Sequence, residues 1–444
     1  MPTITSFEQA QSYLFGTINE TLSRRSPGRL DRMRAFLRNL GDPQNAYPTI
    51  QVGGTSGKGS TASMLAAVLI AAGHRTGLHT KPHLNSMTER ARVDHANVAE
   101  ERFAELLDEM MPAIERTTAE IGRPSYYETL LALTLLHFAR ERVDIAVVEV
   151  GIGGALDGTN VLVPGLCIIT NVGLDHTEIL GDTLETIARD KVGIAKSGVP
   201  LVSDAREPIV RATIAAGCRA AGAPLVFVDE RAQIAPTRAE PYTNAFTVAT
   251  ERATYAIGLS LLGQFQRRNA ATAIVALELL GERFRPSAAA VEAGLAQVLI
   301  PGRMEYFPAY PGVVFDIAHN PDKARHLAEA LAETFPGQRF AFVVAIGESK
   351  DATNVLAPLL ALPASFVFTS FSTVGRTAIR PQRLVNVAED AGVWARAIED
   401  PIEALSVARR SAGPDTIVVV TGSTFVVAVI RKWWLNDVAE RSRN

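Results

Sequence analysis

The chain of 444 residues is poor in cysteine, with only Cys167 and Cys218. Two cysteines cannot form the disulfide framework of a small secreted domain, and they cannot supply a zinc site of the usual four-ligand kind. We therefore expect neither a disulfide framework nor a zinc site from these cysteines. A reducing compartment suits such a chain, and we expect a cytoplasmic protein.

The sequence also lacks an excess of either charge and any long apolar run. The net charge at pH 7 is −3, which gives no electrostatic reason to expect nucleic acid or an anionic membrane as a partner. Residues 1–8 lack the basic-then-apolar pattern of a signal peptide. The apolar stretch 417–430 is interrupted by polar residues at 421–424 and is too short to cross a bilayer. We expect neither a nucleic-acid partner nor a membrane segment.

What the chain does contain is typical of a globular enzyme, with 47% hydrophobic and 20% charged residues. Its length exceeds that of one common core. The composition changes near residues 298–303, where a Pro-Gly pair precedes a new series of strands and helices. We therefore predict two domains, over residues 1–300 and 301–444.

Hydrophobic periodicity predicts the order of the elements. Continuous β-branched runs of four to eight residues indicate strands that are covered on both faces, and amphipathic segments indicate helices. The strands are predicted over 49–52, 75–79, 143–150, 166–170, 200–203, 313–316 and 340–344, and the helices over 7–23, 30–40, 62–72, 99–121, 126–141, 184–197 and 323–335. This alternation favours an α/β fold with a doubly wound, mainly parallel sheet and a smaller Rossmann-like α/β domain after it.

A glycine-rich loop, residues 53–61 with the sequence G-G-T-S-G-K-G-S-T, lies between the first predicted strand and a helix. We call it the phosphate loop. Glycines let backbone N–H groups approach an anion, the helix N-terminus favours negative charge, and Lys58 adds a point charge. Its spacing differs from the common P-loop, because Gly59 follows the lysine and the hydroxyls come at Ser60 and Thr61. The alternative is a glycine-rich turn with a surface lysine; the order strand, loop and helix favours nucleoside triphosphate binding.

Polar residues follow other predicted strands. Glu149 ends the strand over 143–150 and precedes a glycine-rich turn; it can be a hard oxygen ligand for Mg²⁺, or it can be a solvent-exposed acid. Asp175 and His176 follow the strand over 166–170, where a metal or phosphate contact is expected because parallel strands present their carboxyl ends at one edge. For Lys191 and Lys196, periodicity alone indicates no function.

In the C-terminal part, Arg303 follows the predicted domain boundary, and its planar guanidinium suits phosphate. Asp316 and His319 follow the strand over 313–316. A carboxylate there can accept ribose hydroxyls, and the imidazole can face a transferred phosphoryl group. Either residue alone could equally be a structural polar group.

Taken together, these segments resemble the folylpolyglutamate synthase/dihydrofolate synthase branch of the Mur ligase family. The resemblance covers nearly the whole chain, in the family's motif order. The matching segments are Gly54–Ser60 (G-T-S-G-K-G-S), Glu149–Asp157 (E-V-G-I-G-G-A-L-D), Gly173–Gly181 (G-L-D-H-T-E-I-L-G), Gly263–Ala270, Pro301–Glu305, Asp316–Pro321, Lys350-Asp351 and Thr421–Ser423.

The resemblance implies an ATP- and Mg²⁺-dependent ligase of folate biosynthesis and polyglutamylation, with a Mur ligase-type domain over 1–300 and a glutamate-ligase domain over 301–444. A folate-type carboxylate, dihydropteroate or folylpolyglutamate, is activated as an acyl phosphate and joined to L-glutamate. Relatives are commonly monomeric, so we expect a monomer with small-molecule partners only. Two alternatives remain: a Mur-type ligase with a non-folate acceptor, and a nucleotide-binding paralogue without ligase activity.

The resemblance also implies residue roles, carried over position by position. ATP contacts fall on Gly54, Thr55, Ser56, Gly57, Lys58, Gly59, Ser60, Gln266, Asn269, Arg303 and Asp316. Mg²⁺ ligands fall on Glu149, His176 and, if it is carbamylated, Lys191. Substrate contacts fall on His83, Asp157, His319, Lys350 and Asp351. The catalytic group is Lys58, His176, Lys191 and His319.

The chain departs from the family pattern at three positions. Lys81 replaces a serine that is a Mg²⁺ ligand in relatives, and an ammonium cannot coordinate a metal. We expect Lys81 to place its charge near the phosphates and to weaken one metal site; the alternative is that Lys81 points to solvent and water replaces the serine hydroxyl. Ala155 replaces an arginine, which could change the substrate site, and Phe265 replaces a histidine, where aromatic stacking could still serve.

Overall fold

The computed structural model describes residues 3–18, 28–237, 242–373 and 376–441. The chain divides into two compact units. The first comprises Met1–Thr237, Ala245–Gly258 and Arg267–Val298, and the second comprises Arg238–Asn244, Leu259–Gln266 and Leu299–Asn444.

In its described residues, the first unit contains an eight-stranded sheet with the order β4-β3-β2-β5-β1-β6-β7-β8. The pairs from β2 to β8 are parallel, and β3 and β4 form an antiparallel edge. The strands are β1 (Thr49–Gly53), β2 (Thr76–His79), β3 (Ala91–Val93), β4 (Ala96–Asn97), β5 (Ile145–Glu149), β6 (Leu166–Ile169), β7 (Leu201–Ser203) and β8 (Leu225–Phe227).

Helices surround this sheet, and a small antiparallel sheet β11-β10-β9 follows it. The central strands β1 and β5 are buried along their whole length, which explains their continuous apolar character. The helices are α1 (Phe7–Phe15), α2 (Arg29–Asn39), α3 (Lys58–Ala71), α4 (Glu100–Ile121), α5 (Tyr126–Arg140), α6 (Thr177–Leu180), α7 (Leu184–Lys191), α8 (Pro208–Ala221), α9 (Gln264–Glu278) and α10 (Ala288–Ala296), and the strands are β9 (Ala232–Pro236), β10 (Asn244–Thr250) and β11 (Thr254–Leu259).

The second unit, as described, contains a six-stranded sheet with the order β12-β13-β19-β14-β15-β18, parallel except at β12. Its strands are β12 (Glu305–Phe307), β13 (Val313–Phe315), β14 (Arg339–Val344), β15 (Ala364–Phe368), β16 (Ser372–Thr373), β17 (Arg376–Thr377), β18 (Ala395–Ala397) and β19 (Thr416–Thr421). Its helices are α11 (Pro321–Thr334), α12 (Ala352–Leu360), α13 (Pro381–Asp390), α14 (Pro401–Ser411) and α15 (Thr424–Arg441).

The α/β class and the mainly parallel sheet are confirmed, but two predicted helices are too long. The helix predicted over 7–23 ends at Phe15, where the Gly16 N–H donates to the Ser12 carbonyl; residues 19–23 lie outside the described part. The helix predicted over 184–197 ends at Lys191 and continues as a 3₁₀ turn. A Cβ atom at Gly193 would lie 2.8 Å from Ala155 Cα, so this turn is shaped by the strand-end loop packed on it.

Separate hydrophobic cores support the sheets. In the first unit, α1, α2, α4 and α5 pack through residues such as Leu14, Phe36 and Phe103. In the second, three phenylalanines of β14 and β15 stack, Phe342 on Phe366 at 4.9 Å between ring centroids. Among the helices that the structure describes, none has the length and apolar character required to cross a membrane.

Candidate functional site

The phosphate loop follows β1 and leads directly into α3. Gly57 is the N-cap of α3 with φ +82°, and Gly54 has φ +135°, both in the region that favours glycine. A Cβ atom on Gly54 would overlap the Thr170 hydroxyl. Glycine at these two positions therefore lets the loop turn tightly against β6 and direct its backbone towards the start of α3.

The loop after β6 holds the phosphate loop in place. The Ser56 N–H donates to Asn171 Oδ1 at 2.7 Å, the Thr55 N–H donates to the Asn171 carbonyl at 2.9 Å, and the Thr170 hydroxyl donates to the Ser56 carbonyl at 2.6 Å. Sequence reasoning missed Thr170 and Asn171. Both residues could have been found from their position directly after β6, because β6 is parallel to β1 and the two strands end at the same edge of the sheet.

Two lysines converge on one carbonyl of the loop. Lys58 Nζ donates to the carbonyls of Gly54 at 3.0 Å and Thr55 at 3.1 Å, and Lys191 Nζ donates to the same Gly54 carbonyl at 2.9 Å. Lys191 is only 3% exposed. Burial, followed by the nearby charge of Lys58, lowers the pKa of Lys191 to about 7. Two amines thus lie where phosphate oxygens of a bound nucleotide would be expected.

Glu149 ends β5 beside the first turn of α3. Its side chain is buried, at 3% exposure, and its Oε2 accepts a hydrogen bond from the Lys81 backbone N–H at 2.9 Å. A Cβ atom on Gly59 would lie 3.3 Å from the same oxygen. The lack of a side chain at Gly59 therefore lets the carboxylate approach α3 closely.

The donor set here fits Mg²⁺ that arrives with phosphates. Glu149 is joined at the start of α3 by the buried hydroxyl residues Ser60 and Thr61, and Thr61 Oγ1 has no hydrogen-bond partner among the described residues. Within the same residues, no group of three or more His, Cys, Asp or Glu could enclose a metal. Mg²⁺ commonly takes one or two carboxylates and completes its shell with phosphate oxygens and water, so oxygen ligands of this kind suit it.

His176 lies after β6 as the N-cap of α6, with φ +52°. Its Nδ1 is 3.7 Å from Glu178 Oε1, and its side chain is 39% exposed. The structure therefore places His176 on the loop expected from the sequence, at the same sheet edge as the phosphate loop. Its contact with a metal remains a prediction.

Asp157, one of the two expected substrate residues of the first unit, makes several hydrogen bonds within the protein. Asp157 is buried and accepts hydrogen bonds from the Thr159 N–H at 3.0 Å, the Thr159 hydroxyl at 2.7 Å and the Ile152 N–H at 3.1 Å. Burial opposes ionisation, but Arg29 and the Thr159 bonds outweigh it and lower the pKa of Asp157. Asp157 thus shapes the turn after β5, and a substrate contact would add to that role.

His83 Nδ1 accepts a hydrogen bond from Arg90 Nε at 2.9 Å. Burial and the Arg90 charge lower the pKa of His83 to about 4. The ring is therefore neutral near pH 7, and because Nδ1 is an acceptor, Nε2 carries the proton. A neutral N–H donor would suit an acceptor atom of a substrate, which remains a prediction for this residue.

Helix α9 approaches the phosphate loop within the first unit. A Cβ atom on Gly57 would overlap Asn269 Oδ1. Arg268 Nε donates to Asp204 Oδ2 at 3.0 Å, which ties this part of α9 to the loop after β7. Gln266, in the first turn of the same helix, belongs to the second unit and is fully buried. Sequence reasoning missed the Asp204–Arg268 pair, because 64 residues separate its members.

We expect Gly57→Ala to weaken ATP binding by about tenfold or more, because the added methyl group would displace Asn269 or the loop. Gly73→Ala is a matched control: Gly73 has φ +88°, close to that of Gly57, but no atom lies within 4 Å of its Cβ position. Both variants carry similar backbone strain of about 1 kcal/mol. Calorimetric titration with ATP checks this, and equal affinities of the two variants would contradict the role of the close approach.

In the second unit, a turn before β12 is fixed to the loop after β13. Asp316 Oδ2 accepts from the Met304 N–H at 2.9 Å and Oδ1 accepts from the Ala318 N–H at 2.8 Å. Burial raises the pKa of Asp316, and the Arg303 charge opposes this shift. Asp316 thus lies at the carboxyl end of β13, as the sequence suggested, and the charge of Arg303 beside it was not anticipated. Contacts of either residue with a nucleotide remain predictions.

His319 lies at the start of α11. Its Nδ1–H donates to the Ile317 carbonyl at 2.9 Å, and Nε2 lies 3.4 Å from Lys323 Nζ. Burial, with Lys323 and Lys350 contributing, lowers the pKa of His319 to about 4. Lys323 was missed; it lies in the first turn of α11, whose N-cap residue Asn320 directly follows His319.

Lys350 and Asp351 lie in the loop between β14 and α12. Lys350 is exposed, whereas Asp351 is the N-cap of α12 and accepts a hydrogen bond from the Asn354 N–H at 3.2 Å. Capping accounts for Asp351 without a ligand. The charge of Lys350 contributes to the lowered pKa of His319, after burial and Lys323, whereas Asp351 has a structural role as the N-cap of α12.

The three departures from the family pattern have separate surroundings. Lys81 is partly buried, with Lys58, Glu149 and Asp157 among the charges that act on it. Ala155 packs against the turn after α7, where its N–H donates to the Asp190 carbonyl at 2.9 Å. Phe265 packs against His326, with ring centroids 6.4 Å apart. The Lys81 environment supports the expectation that its charge faces the phosphate loop.

Family models match both parts of the chain. Residues 52–277 match the Mur ligase middle domain, and residues 302–424 match the Mur ligase, glutamate ligase domain. The first match covers the phosphate loop, Glu149, His176 and Lys191, and the second covers Arg303, Asp316, His319 and Lys350. The predicted site residues thus lie within the two matched segments.

Individual relatives match over nearly the whole chain. The dihydrofolate synthase/folylpolyglutamate synthase of Bacillus subtilis is 32% identical over 434 residues, which are 96% of this chain and 99% of that protein. The structure of Escherichia coli FolC in complex with DHPP and ADP has a TM-score of 0.86 at 27% identity and covers 100% of both chains. A bifunctional folylpolyglutamate synthase/dihydrofolate synthase from Yersinia pestis, complexed with AMPPNP and Mn ion, has a TM-score of 0.84 at 26% identity, covering 98% of this chain and 99% of that one. The chain therefore belongs to the folylpolyglutamate synthase/dihydrofolate synthase branch of the Mur ligase family.

Proposed function

We propose that this ATP-dependent ligase joins L-glutamate to a folate-type carboxylate, dihydropteroate or folylpolyglutamate, through an acyl phosphate. The relatives' names supply the acceptor class. The observation that carries the phosphate chemistry is the convergence of Lys58 and Lys191 on the Gly54 carbonyl, beside Glu149. Amines and a metal-ligating carboxylate at a helix N-terminus suit transfer of a phosphoryl group.

The proposed reaction has two displacement steps. An oxygen of the acceptor carboxylate attacks the γ-phosphorus of ATP, the bond to the bridging oxygen breaks, and ADP leaves. The amino group of L-glutamate then attacks the carbonyl carbon of the acyl phosphate, loses a proton, and inorganic phosphate leaves. Because the first step brings two anions together, positive charge must lie between them.

The residues of the first unit would provide that charge. Lys58 would turn from the loop carbonyls to the phosphates, which is a short movement because its Nζ already lies at the loop. Glu149, the hydroxyls at the start of α3 and His176 would hold Mg²⁺, which would neutralise phosphate charge when bound. Lys191 has the lowered pKa that an amine needs to react with carbon dioxide, which supports carbamylation at this position.

The second unit would bind nucleotide and glutamate groups. Arg303 and Asp316 would contact ATP, the guanidinium through phosphate and the carboxylate through ribose. Lys323 and Lys350 lie around a neutral His319, so this edge of the sheet carries positive charge suited to the two carboxylates of glutamate. His319 would lie near the γ-phosphate as a neutral imidazole and would not bring the extra proton of an imidazolium.

The acceptor is tested by incubating the full-length protein with ATP, Mg²⁺ and L-glutamate, with dihydropteroate and a reduced folate offered separately. We expect a product that is heavier than the acceptor by one glutamyl residue. One ADP should form for each molecule of product. Absence of product from both acceptors would reject the folate acceptors. ADP without either product would instead indicate a different acceptor carboxylate or an uncoupled ATPase.

For assembly and location, we propose a monomeric cytoplasmic enzyme with only small-molecule partners. Light scattering at the assay concentration tests the monomer, and a mass of twice 47.7 kDa would contradict it.

A further inference from the structure

Lysine is rare in this chain and concentrated near ligand-binding positions. The sequence has seven lysines and 37 arginines. Three of the seven, Lys58, Lys81 and Lys191, belong to the surroundings of the phosphate loop. Arginine thus provides almost all the positive charge elsewhere. A lysine differs from an arginine as a compact, strongly hydrated point charge that binds phosphate without a fixed planar geometry.

The backbone fixes Lys81 beside the loop. Lys81 follows β2, which pairs in parallel with β5, so the ends of the two strands lie side by side. Its N–H donates to Glu149 Oε2, and that oxygen is 3.3 Å from the Cβ position of Gly59. The Glu149 carboxylate therefore lies between the Lys81 backbone and the first turn of α3. From this position the four-carbon side chain of Lys81 can reach the phosphate loop.

Side chains of both signs act on Lys81. After burial, the charge of Lys58 lowers the pKa of Lys81 more than the charge of Glu149 or that of Asp157 raises it. Glu149 also accepts a hydrogen bond from the Lys81 backbone N–H. Mutual repulsion between ammonium groups is relieved when a polyanion binds among them. A triphosphate is such an anion.

We propose that Lys81 is a second phosphate-binding ammonium beside Lys58, which supplies from within the chain part of the positive charge that a triphosphate otherwise takes from divalent metal. The inference rests on the proposed function in one respect, which is that the ligand is ATP. It assigns Lys81 a role in affinity for the nucleotide, and it predicts that ATP binds measurably when divalent metal is removed.

The test is calorimetric titration of the full-length protein with ATP, in EDTA and in excess Mg²⁺. The variants are Lys81→Met, which keeps the length of the side chain, and Lys81→Ser, which leaves a hydroxyl. Lys432→Met, at an exposed position of α15 in the second unit, is the control. Loss of one charged hydrogen bond predicts that both Lys81 variants bind metal-free ATP about tenfold more weakly or worse. With excess Mg²⁺ we expect the difference to narrow to about threefold, and the control to match the unchanged protein.

Equal metal-free affinity of the unchanged protein and both Lys81 variants would overturn the proposal. An equal loss in EDTA and in Mg²⁺ would also overturn it, because a general packing defect does not depend on metal; melting temperatures identify such a defect. Lys81→Arg with retained metal-free affinity would support it. Failure of the glutamylation assay while metal-free ATP binding still depends on Lys81 would reject the proposed function and leave this inference standing.

Discussion

Lys58→Ala is expected to abolish glutamate ligation while the protein stays folded. The Lys58 ammonium lies at the phosphate loop, bonded to the carbonyls of Gly54 and Thr55. Removing it leaves the developing charge on the transferred phosphoryl group without its nearest protein cation. Loss of one such donor costs about 10²–10³-fold in rate. Product formation followed by mass, with ADP release measured in parallel, checks the expectation.

Lys432→Ala is the control for Lys58→Ala, because Lys432 is exposed in another part of the chain. It should leave both product formation and melting temperature unchanged. If Lys58→Ala retains more than about one tenth of the turnover, the interpretation of residues 53–61 as a phosphate loop is wrong. A fall in melting temperature that accounts for the lost activity would show that Lys58 supports folding and not phosphate binding.

Glu149→Gln is expected to raise the Mg²⁺ concentration needed for half-maximal activity by about tenfold or more. The amide keeps the shape of the side chain and can still accept the Lys81 N–H, but it loses the negative charge that attracts a hard cation. We also expect the rate at saturating Mg²⁺ to fall by about 10²-fold. Titration of the reaction with MgCl₂ measures both effects.

Glu207→Gln makes the same chemical change at an exposed position before α8, where the side chain makes no capping hydrogen bond. Its Mg²⁺ titration should overlay that of the unchanged protein. A Glu149→Gln titration with the same midpoint as this control would show that Glu149 is not a metal ligand.

The parts of the site that the sequence predicted are those built from neighbouring residues. The phosphate loop was visible because strand, glycines, Lys58 and helix follow one another within about 25 residues. Glu149 was visible because it ends a buried strand in a parallel sheet. His319 was visible for the same reason in the second unit. Local pattern and the rule for strand ends were sufficient for each.

Contacts between distant residues could not be predicted in this way. Lys191 donates to the Gly54 carbonyl across 137 residues, and Asn171 accepts from the Ser56 N–H across 115. Periodicity places Lys191 on a helix but does not determine which loop that helix faces. The family resemblance, and not the residue pattern, indicated its importance.

The small antiparallel sheet was also missed, for a different reason. Along β11, exposed and buried residues alternate from Thr254 to Leu259, as in a strand with one face in solvent. The search for continuous apolar runs suits parallel strands that are covered on both faces, such as β5. Half-exposed strands produce a weaker signal, and β9–β11 therefore escaped detection.

The central claim is that the acceptor carboxylate is activated as an acyl phosphate, and transfer of ¹⁸O tests it most directly. The protein is incubated with ATP, Mg²⁺, L-glutamate and an acceptor whose reacting carboxylate carries ¹⁸O on both oxygens. The account predicts that each phosphate released contains one ¹⁸O atom and that each amide product retains one. Phosphate without ¹⁸O, formed together with the amide, would contradict the account.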